Sequence, residues 1–319
     1  MRVRELGVVP GDLPTGRLNA ITDVPGVLVG QTTLANGEVN TGVTAVVPPD
    51  FAAGLPAAVA VGNGYGKLVG STQVDELGVL ETPILLTGTL SVFRVADALL
   101  SWLLARDPSA TSLNPVVGET NDGYLSDIRS RPITAEHVFA ALDTASAELP
   151  AEGNVGAGTG TTALGFKAGI GTSSRMVGGG TVGVLVQANF SGTLTVLGTP
   201  LRPPIEKPAP EGNSCMIVLA TDLPLDARQL GRVARRSIFA MGKAGSDFSP
   251  GSGDYAIAFS TRRAVVPMVD TALKEVFQAS TEATEEALLN SLTMATTVTG
   301  YNGNTQYAVP EELIRNRGR

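Results

Sequence analysis

Ser214 stands where a proline-rich stretch meets an apolar run, Cys215-Met216-Ile217-Val218-Leu219-Ala220. Residues 199–213 hold five prolines (200, 203, 204, 208 and 210). Neither a helix interior nor a central strand tolerates that many, so the stretch reads as an exposed boundary that runs straight into a strand. A hydroxyl at such a junction can attack the carbonyl of the residue before it, here Asn213. The resulting ester hydrolyses, the chain parts, and Ser214 becomes a new N-terminus. One residue then carries a nucleophilic oxygen and an α-amine. With a reference pKa of about 7.7–8.0, that amine keeps a useful neutral fraction to act as the base. Gly212 and Asn213, small and flexible, suit the turning of the scissile peptide.

The rest of the chain leaves few other sources of a base. It has one His, His137, and one Cys, Cys215. A Ser-His-Asp triad would have to use His137, which falls in the first turn of a predicted helix beside Glu136 and reads as a surface or capping residue. Cys215 lies inside an apolar run and reads as core rather than as a nucleophile. One Cys and one His exclude an intrachain disulfide framework, a structural zinc site and an HExxH site. The glycine-rich segment 62–67 lacks the Gly and Ser/Thr of a phosphate loop, with Val61 and Leu68 in their places. Gly158-Thr159-Gly160-Thr161 mimics a dinucleotide fingerprint, but Gly178-Gly179-Gly180 stand where the acidic residue belongs.

The elements that must position Ser214 follow from periodicity. Strands are expected at 43–47 and 57–62, after a β-rich opening with a turn at Asp23-Val24-Pro25-Gly26. Helices are expected at 91–106, capped by Ser91, and at 135–148, capped by Thr134. Residues 153–172 read as a glycine-rich loop. Strands at 181–187 and 193–198 read as a hairpin around Ala188–Gly192, in which Asn189 could serve as a plain turn residue. After the boundary come strand 215–220, helix 226–241 capped by Asp226, strands 254–260 and 264–269, and helix 282–296. Ser252-Gly253-Asp254 reads as the entry to one of these strands, and Tyr124 as a packed aromatic.

Composition sets the outer limits. The chain has 319 residues, 43% hydrophobic and 17% charged, enough for a large core. The net charge is -7 and no Lys/Arg-rich block occurs, which argues against nucleic acid as a partner. Arg228, Arg232, Arg235 and Arg236 read as one solvated helix face. No apolar run reaches the eighteen residues of a membrane span. Met1–Leu6 leads into Gly and Pro without a signal-peptide core, so a cytoplasmic location is the expectation.

Several segments, in order along nearly the whole chain, carry a resemblance. They are residues 18–27 (LNAITDVPGV), 117–125 (VGETNDGYL), 156–161 (GAGTGT), 165–175 (GFKAGIGTSSR), 184–190 (VLVQANF), 212–214 (GNS) and 251–261 (GSGDYAIAFST). On these motifs the chain resembles the self-processing serine aminopeptidases that comprise the L-aminopeptidase D-amidase/D-esterases and the β-peptidyl aminopeptidases. The resemblance implies an α/β fold, a four-layer αββα sandwich similar to that of ornithine acetyltransferase. It implies a single domain cut into an α chain (1–213) and a β chain (214–319), assembled as a homotetramer of αβ units. Substrates would be short peptides, amides or esters, and no cofactor or metal is implied. Ser214 would be the nucleophile for self-cleavage and for turnover. Asn189 would donate to the oxyanion, and Tyr124 would hydrogen-bond near the reacting centre. Ser252 and Asp254 would orient the nucleophile and bind the substrate ammonium. In the β-peptidyl branch the last of these is typically Glu, so Asp254 shortens that anchor by one methylene. Two alternatives stand beside this expectation. One is an acyl or aminoacyl transferase on the same fold, although that branch uses Thr as nucleophile. The other is a family member that folds but never cuts itself.

Overall fold

The computed structural model describes residues 1–203, 213–263, 266–315 and 317. Its strands are β1 (Leu28–Asn36), β2 (Val39–Val47), β3 (Leu55–Gly64), β4 (Leu68–Val69), β5 (Val79–Leu80), β6 (Ile84–Gly88), β7 (Val116–Thr120), β8 (Ile170–Val177), β9 (Gly180–Asn189), β10 (Asn213–Thr221) and β11 (Ser252–Ser260). The main helices are α1 (Ser71–Leu77), α2 (Val92–Leu104), α3 (Ala135–Asp143), α4 (Ala227–Ala244) and α5 (Leu273–Thr293). Short two-residue ribbons fill the connections. The strands form a five-stranded sheet in the order β1-β2-β6-β7-β4 and a six-stranded sheet in the order β8-β9-β10-β11-β3-β5.

Strand alternation sorts the apolar side chains into three buried layers. In β10, Cys215, Ile217 and Leu219 pack with Leu230, Val233 and Ile238 of α4 and Ala283 and Ala287 of α5. Met216, Val218 and Ala220 of the same strand face the other way, onto Ile84 and Leu86 of β6 and Val116 of β7. On the far side of the five-stranded sheet, Val43, Leu85 and Val117 meet Val95, Leu99 and Val138 of α2 and α3. The result is the expected four layers: α2/α3, sheet, sheet, α4/α5. Strands buried on both faces have no polar side, which is why they read as continuous apolar runs. Gln187 of β9 ties the two sheets together. Its Nε2 donates to Thr87 O at 3.1 Å, Thr120 Oγ1 at 2.8 Å and Ala157 O at 2.9 Å.

Several predicted elements move. The hairpin expected around residues 188–192 is instead formed by β8 and β9, joined through Gly178 and Gly179, both at positive φ. Asn189 is therefore a strand residue, and of 193–198 only Thr195–Val196 is paired, with Thr199–Pro200. Residues 170–172, read as loop, begin β8. The helix expected at 282–296 runs from Leu273 to Thr293. Its buried Ser280, Glu282, Thr284 and Glu286 blur the apolar stripe that would have shown its start. Glu282 and Glu286 are there to pair the fully buried Arg175, at 3.2 and 2.7 Å. The helix at 135–148 stops at Asp143. Residues 266–269 form no strand, and 264–265 lie outside the described residues, as do Gly212 and the prolines at 204, 208 and 210.

Candidate active site

Ser214 is the second residue of β10, a central strand of the six-stranded sheet. It pairs with Asn189 across the antiparallel neighbour β9 and with Gly253 across the parallel neighbour β11. Its side chain is buried, at 2% exposure. The Ser214 hydroxyl donates to the carbonyl oxygen of Asn213, so it lies against the peptide that precedes it. By alternation with Met216, Ser214 faces the five-stranded sheet.

Asn189 lies beside it at the end of β9, and its amide is fixed at both ends. Its Oδ1 accepts from Thr162 N at 2.9 Å, and its Nδ2 donates to Asn121 O at 2.9 Å. The partner types set the amide's orientation, oxygen toward an N–H and nitrogen toward a C=O. Each partner has a buried charged residue as its neighbour. Thr162 pairs with Lys167 in a small hairpin, and Asp122 follows Asn121 in the chain. Lys167 Nζ donates to Gly158 O at 3.2 Å and to Ala168 O. Burial pushes the Lys167 pKa down to about 7 and the Asp122 pKa up to about 7, while each group's charge favours the other's.

Ser252 and Asp254 occupy the neighbouring strand. Ser252 Oγ donates to Asp254 Oδ1 at 2.7 Å. Asp254 is fully buried, its Oδ2 has no hydrogen-bond partner, and burial raises its pKa to about 6. Asp254 pairs with Cys215 in the parallel register, so it shares the helix-facing side of the sheet with that thiol. A methyl on Gly62 would sit 2.7 Å from Ile238 of α4 and 3.4 Å from Asp254 Cβ, which places the carboxylate on that side. Asp254 therefore flanks the backbone at 214–215 from behind, while Ser214 and Asn189 look into the space between the sheets. Burial and the Asp254 charge both raise the Cys215 thiol well above its ordinary pKa, in keeping with a core residue.

The segment 62–67 packs against the same spot. Tyr65 N donates to Ser252 O at 3.1 Å. A side chain on Gly253 would come within 2.9 Å of both Gly66 Cα and Tyr65 O, so only glycine fits opposite Ser214. Glu119, at the end of β7, was not singled out from sequence. It is buried, and its Oε1 accepts from Lys67 N at 2.9 Å and pairs with Lys67 Nζ at 3.3 Å. Its Oε2 is buried without a partner. A methyl on Gly66 would lie 3.1 Å from both Glu119 Oε1 and Gly253 Cα, which brings this carboxylate next to the Ser214 ladder. The signal was an acid inside an otherwise apolar strand, Val116-Val117-Gly118-Glu119.

Ser214, Asn189, Ser252 and Asp254 thus share one end of the six-stranded sheet. Tyr124 lies three positions after Asn121, the residue that Asn189 binds, and its carbonyl accepts from Asn304 Nδ2 at 2.9 Å. His137 accepts from Thr134 N at 3.0 Å and caps α3, as expected. Among the described residues, no three His, Cys, Asp or Glu side chains are grouped to hold a metal, and no helix is long and apolar enough to cross a membrane.

Known proteins share this arrangement of sheets and helices. Residues 19–306 match the sequence profile of peptidase family S58. The β-peptidyl aminopeptidase BapA of Sphingosinicella xenopeptidilytica is 40% identical over 361 residues, covering 98% of this chain and 90% of that protein. A solved structure of a Pyrococcus horikoshii OT3 protein superposes with a TM-score of 0.93 at 40% identity, over 100% of both chains. The L-aminopeptidase D-Ala-esterase/amidase of Ochrobactrum anthropi superposes with a TM-score of 0.90 at 35% identity, covering 98% of this chain and 96% of that one. That protein is described as a prototype for the serine aminopeptidases and a variant of the Ntn hydrolase fold.

Proposed function

The chain belongs to peptidase family S58, and from that premise we propose a self-processing serine aminopeptidase whose nucleophile is Ser214. The observation that carries the reading is the Ser214 hydroxyl lying against the Asn213 carbonyl, directly opposite Asn189. Attack by Oγ on that carbonyl gives a tetrahedral oxyanion, and its collapse breaks the C–N bond and leaves an ester. Water then hydrolyses the ester, ending an α chain at Asn213 and freeing the hydroxyl of Ser214, whose amine the C–N cleavage has already released. In turnover the same oxygen attacks a substrate carbonyl while the new amine takes its proton. The amine then protonates the leaving group, and water clears the acyl-enzyme.

The other residues take roles that their positions support. Asn189, held in one amide orientation, is the side-chain donor to the oxyanion as charge develops. Ser252 and Asp254, behind the Ser214 backbone, accept from the liberated amine and orient it. A carboxylate oxygen buried without a partner is costly unless something donates to it, and that amine is the donor such a site lacks before cleavage. The substrate ammonium binds the unpartnered oxygen of Glu119, whose carboxylate lies by Gly66 and Gly253 opposite Ser214. Tyr124 lines the approach beside Asn121. The substrates are short peptides, amides or esters with a free N-terminal amine.

We extend the proposal to a homotetramer of αβ units in the cytoplasm. Exposed Leu90 and Phe93 at the start of α2 and Phe239 on α4 support association through the outer helix layers. The test is an intact mass of the purified, denatured protein together with a peptidase assay. Two species are expected, the smaller beginning Ser-Cys-Met-Ile, with activity on dipeptides that disappears when their amine is acetylated. A protein that cuts but hydrolyses no free-amine substrate would overturn the aminopeptidase assignment.

A further inference from the structure

Asn213, the residue on the acyl side of the bond at issue, pairs with Ser252 through its backbone, while its side chain is held by a hydrogen-bond chain that includes no side chain assigned to turnover. Its Nδ2 donates to Ser191 Oγ at 3.2 Å. Ser191 in turn donates its hydroxyl hydrogen to Asp247 Oδ1 at 2.6 Å. Asp247 Oδ1 also accepts from Ser249 N at 3.0 Å, which fixes the carboxylate against its own loop. Every link points the same way, from amide to hydroxyl to carboxylate, so the terminal charge strengthens each one.

The scaffold beneath the chain is rigid. Thr193 N donates to Gly245 O at 3.0 Å and Asp247 N to Ser191 O at 3.3 Å, so the segment after β9 is zipped to the end of α4. Two glycines permit that approach. A methyl on Gly192 would lie 2.0 Å from Gly245 O, and one on Gly245 would lie 1.7 Å from Thr193 O. Gly245 also ends α4 in the left-handed conformation, so the helix end itself sets where Asp247 begins. From the other side, Asn63 Nδ2 donates to Phe248 O at 3.1 Å and Ser249 O at 2.6 Å.

We infer that Ser191, backed by Asp247, is a positioning residue for self-cleavage alone: it holds Asn213 so that the peptide carbonyl stays in reach of the Ser214 hydroxyl. Ser214 is gripped by the ladders to Asn189 and Gly253. Ser191 grips the residue on the other side of the same peptide bond. With both flanking residues held, rotation about the scissile peptide is restricted to the arrangement in which oxygen and carbonyl meet. Asn189 and Ser191 are two positions apart in the chain, and so one strand end serves both halves of the bond. Once that bond is broken, Asn213 belongs to the end of the other chain, and the clamp no longer bears on the nucleophile.

The inference rests on the proposed cut at Asn213–Ser214, and the test separates the two. Wild type, Ser191→Ala and Ser191→Thr are produced as full chains, and the cleaved fraction is followed by intact mass against time. Turnover is then measured per cleaved chain. Ser191→Ala is expected to process on the order of 10-fold to 10²-fold more slowly, since a small misplacement of reacting atoms has effects of that size. Ser191→Thr, which keeps the hydroxyl, should restore most of the rate. Both should match wild type in kcat and KM once cut. Asn213→Ala should slow processing in the same way, and adding Ser191→Ala to it should slow it no further. Wild-type processing rates in Ser191→Ala would overturn the inference while leaving the cut in place, as would an equal fall in kcat of its cleaved form. A wild-type chain that never cuts would remove the reading on which the inference stands.

Discussion

Ser252 donates its hydroxyl to one oxygen of Asp254 at 2.7 Å, while the other oxygen of that buried carboxylate has no partner. Burial raises its pKa from 3.8 to about 6. Between those two values the unfolded chain has released the proton and the folded chain keeps it. The group therefore adds stability at low pH that is lost as pH rises through about 6. Asp254→Asn removes the ionisable group, so its melting temperature relative to wild type should be higher at about pH 8 than at about pH 4.5. Turnover should collapse in the same variant. In wild type, turnover should decline as pH falls through about 6, because a protonated Asp254 no longer accepts from an amine. Equal melting shifts at both pH values would show that the fold does not raise the Asp254 pKa.

Ser214→Ala should give one intact, folded chain without activity. Asn189→Ala should fold and still carry Ser214, but turn over about 10²–10³-fold more slowly if its amide donates to the oxyanion. Self-cleavage passes through an oxyanion at the same place, so processing should slow with it. An Asn189→Ala enzyme with unchanged kcat would reduce Asn189 to a strand-end residue that merely holds Thr162 and Asn121.

How much of this was legible from sequence follows from what each residue contacts. The junction at Ser214 was visible because proline excludes regular structure and the run after it has no polar face. The strands at 43–47, 57–62, 181–187, 215–220 and 254–260 were visible as apolar runs, whereas Ile84–Gly88 and Val116–Thr120, buried throughout, are too short to stand out. The β8–β9 hairpin was not, because its strand 170–177 carries Thr172, Ser173, Ser174 and Arg175, all fully buried and satisfied by tertiary partners. Thr172 Oγ1 donates to Val184 O at 2.7 Å and Ser173 Oγ to Ala283 O at 2.6 Å, bonds that no local pattern announces. Glu119 and Ser191 escaped notice for the same reason. Their significance comes from what stands opposite them, Gly66 and Gly253 in one case and Asn213 in the other.

Lys167 and Asp122 are both fully buried beneath the partners of Asn189, and each is pushed toward neutrality by burial while the other's charge holds it back. Lys167→Met should destabilise the fold by about 1–3 kcal/mol, chiefly by leaving Gly158 O and Ala168 O without their donor, while adding Asp122→Asn should recover only the part due to the lost charge. Urea unfolding monitored by fluorescence of Trp102 reads both. Additive losses in the double variant would mean that the two groups do not act as a pair.

Glu119 offers the sharpest separation of substrate binding from self-cleavage. Its Oε1 is taken by Lys67, through both backbone and side chain, but its buried Oε2 accepts nothing. A substrate ammonium reaching that oxygen would gain a charge-assisted hydrogen bond away from water, of the stronger class. The uncut chain presents no such ammonium, since the nitrogen of Asn213, the acyl-side residue, is in peptide linkage with Gly212. Glu119→Gln should therefore self-process at the wild-type rate. In the cleaved form kcat/KM for free-amine peptides should fall by roughly 10–10²-fold, about 1.4–3 kcal/mol of lost ammonium binding, seen chiefly in KM. The side-chain amide keeps the size of the group, so the fold is not the variable under test. Slow processing in Glu119→Gln would instead place this carboxylate among the groups that shape the Ser214 strand itself.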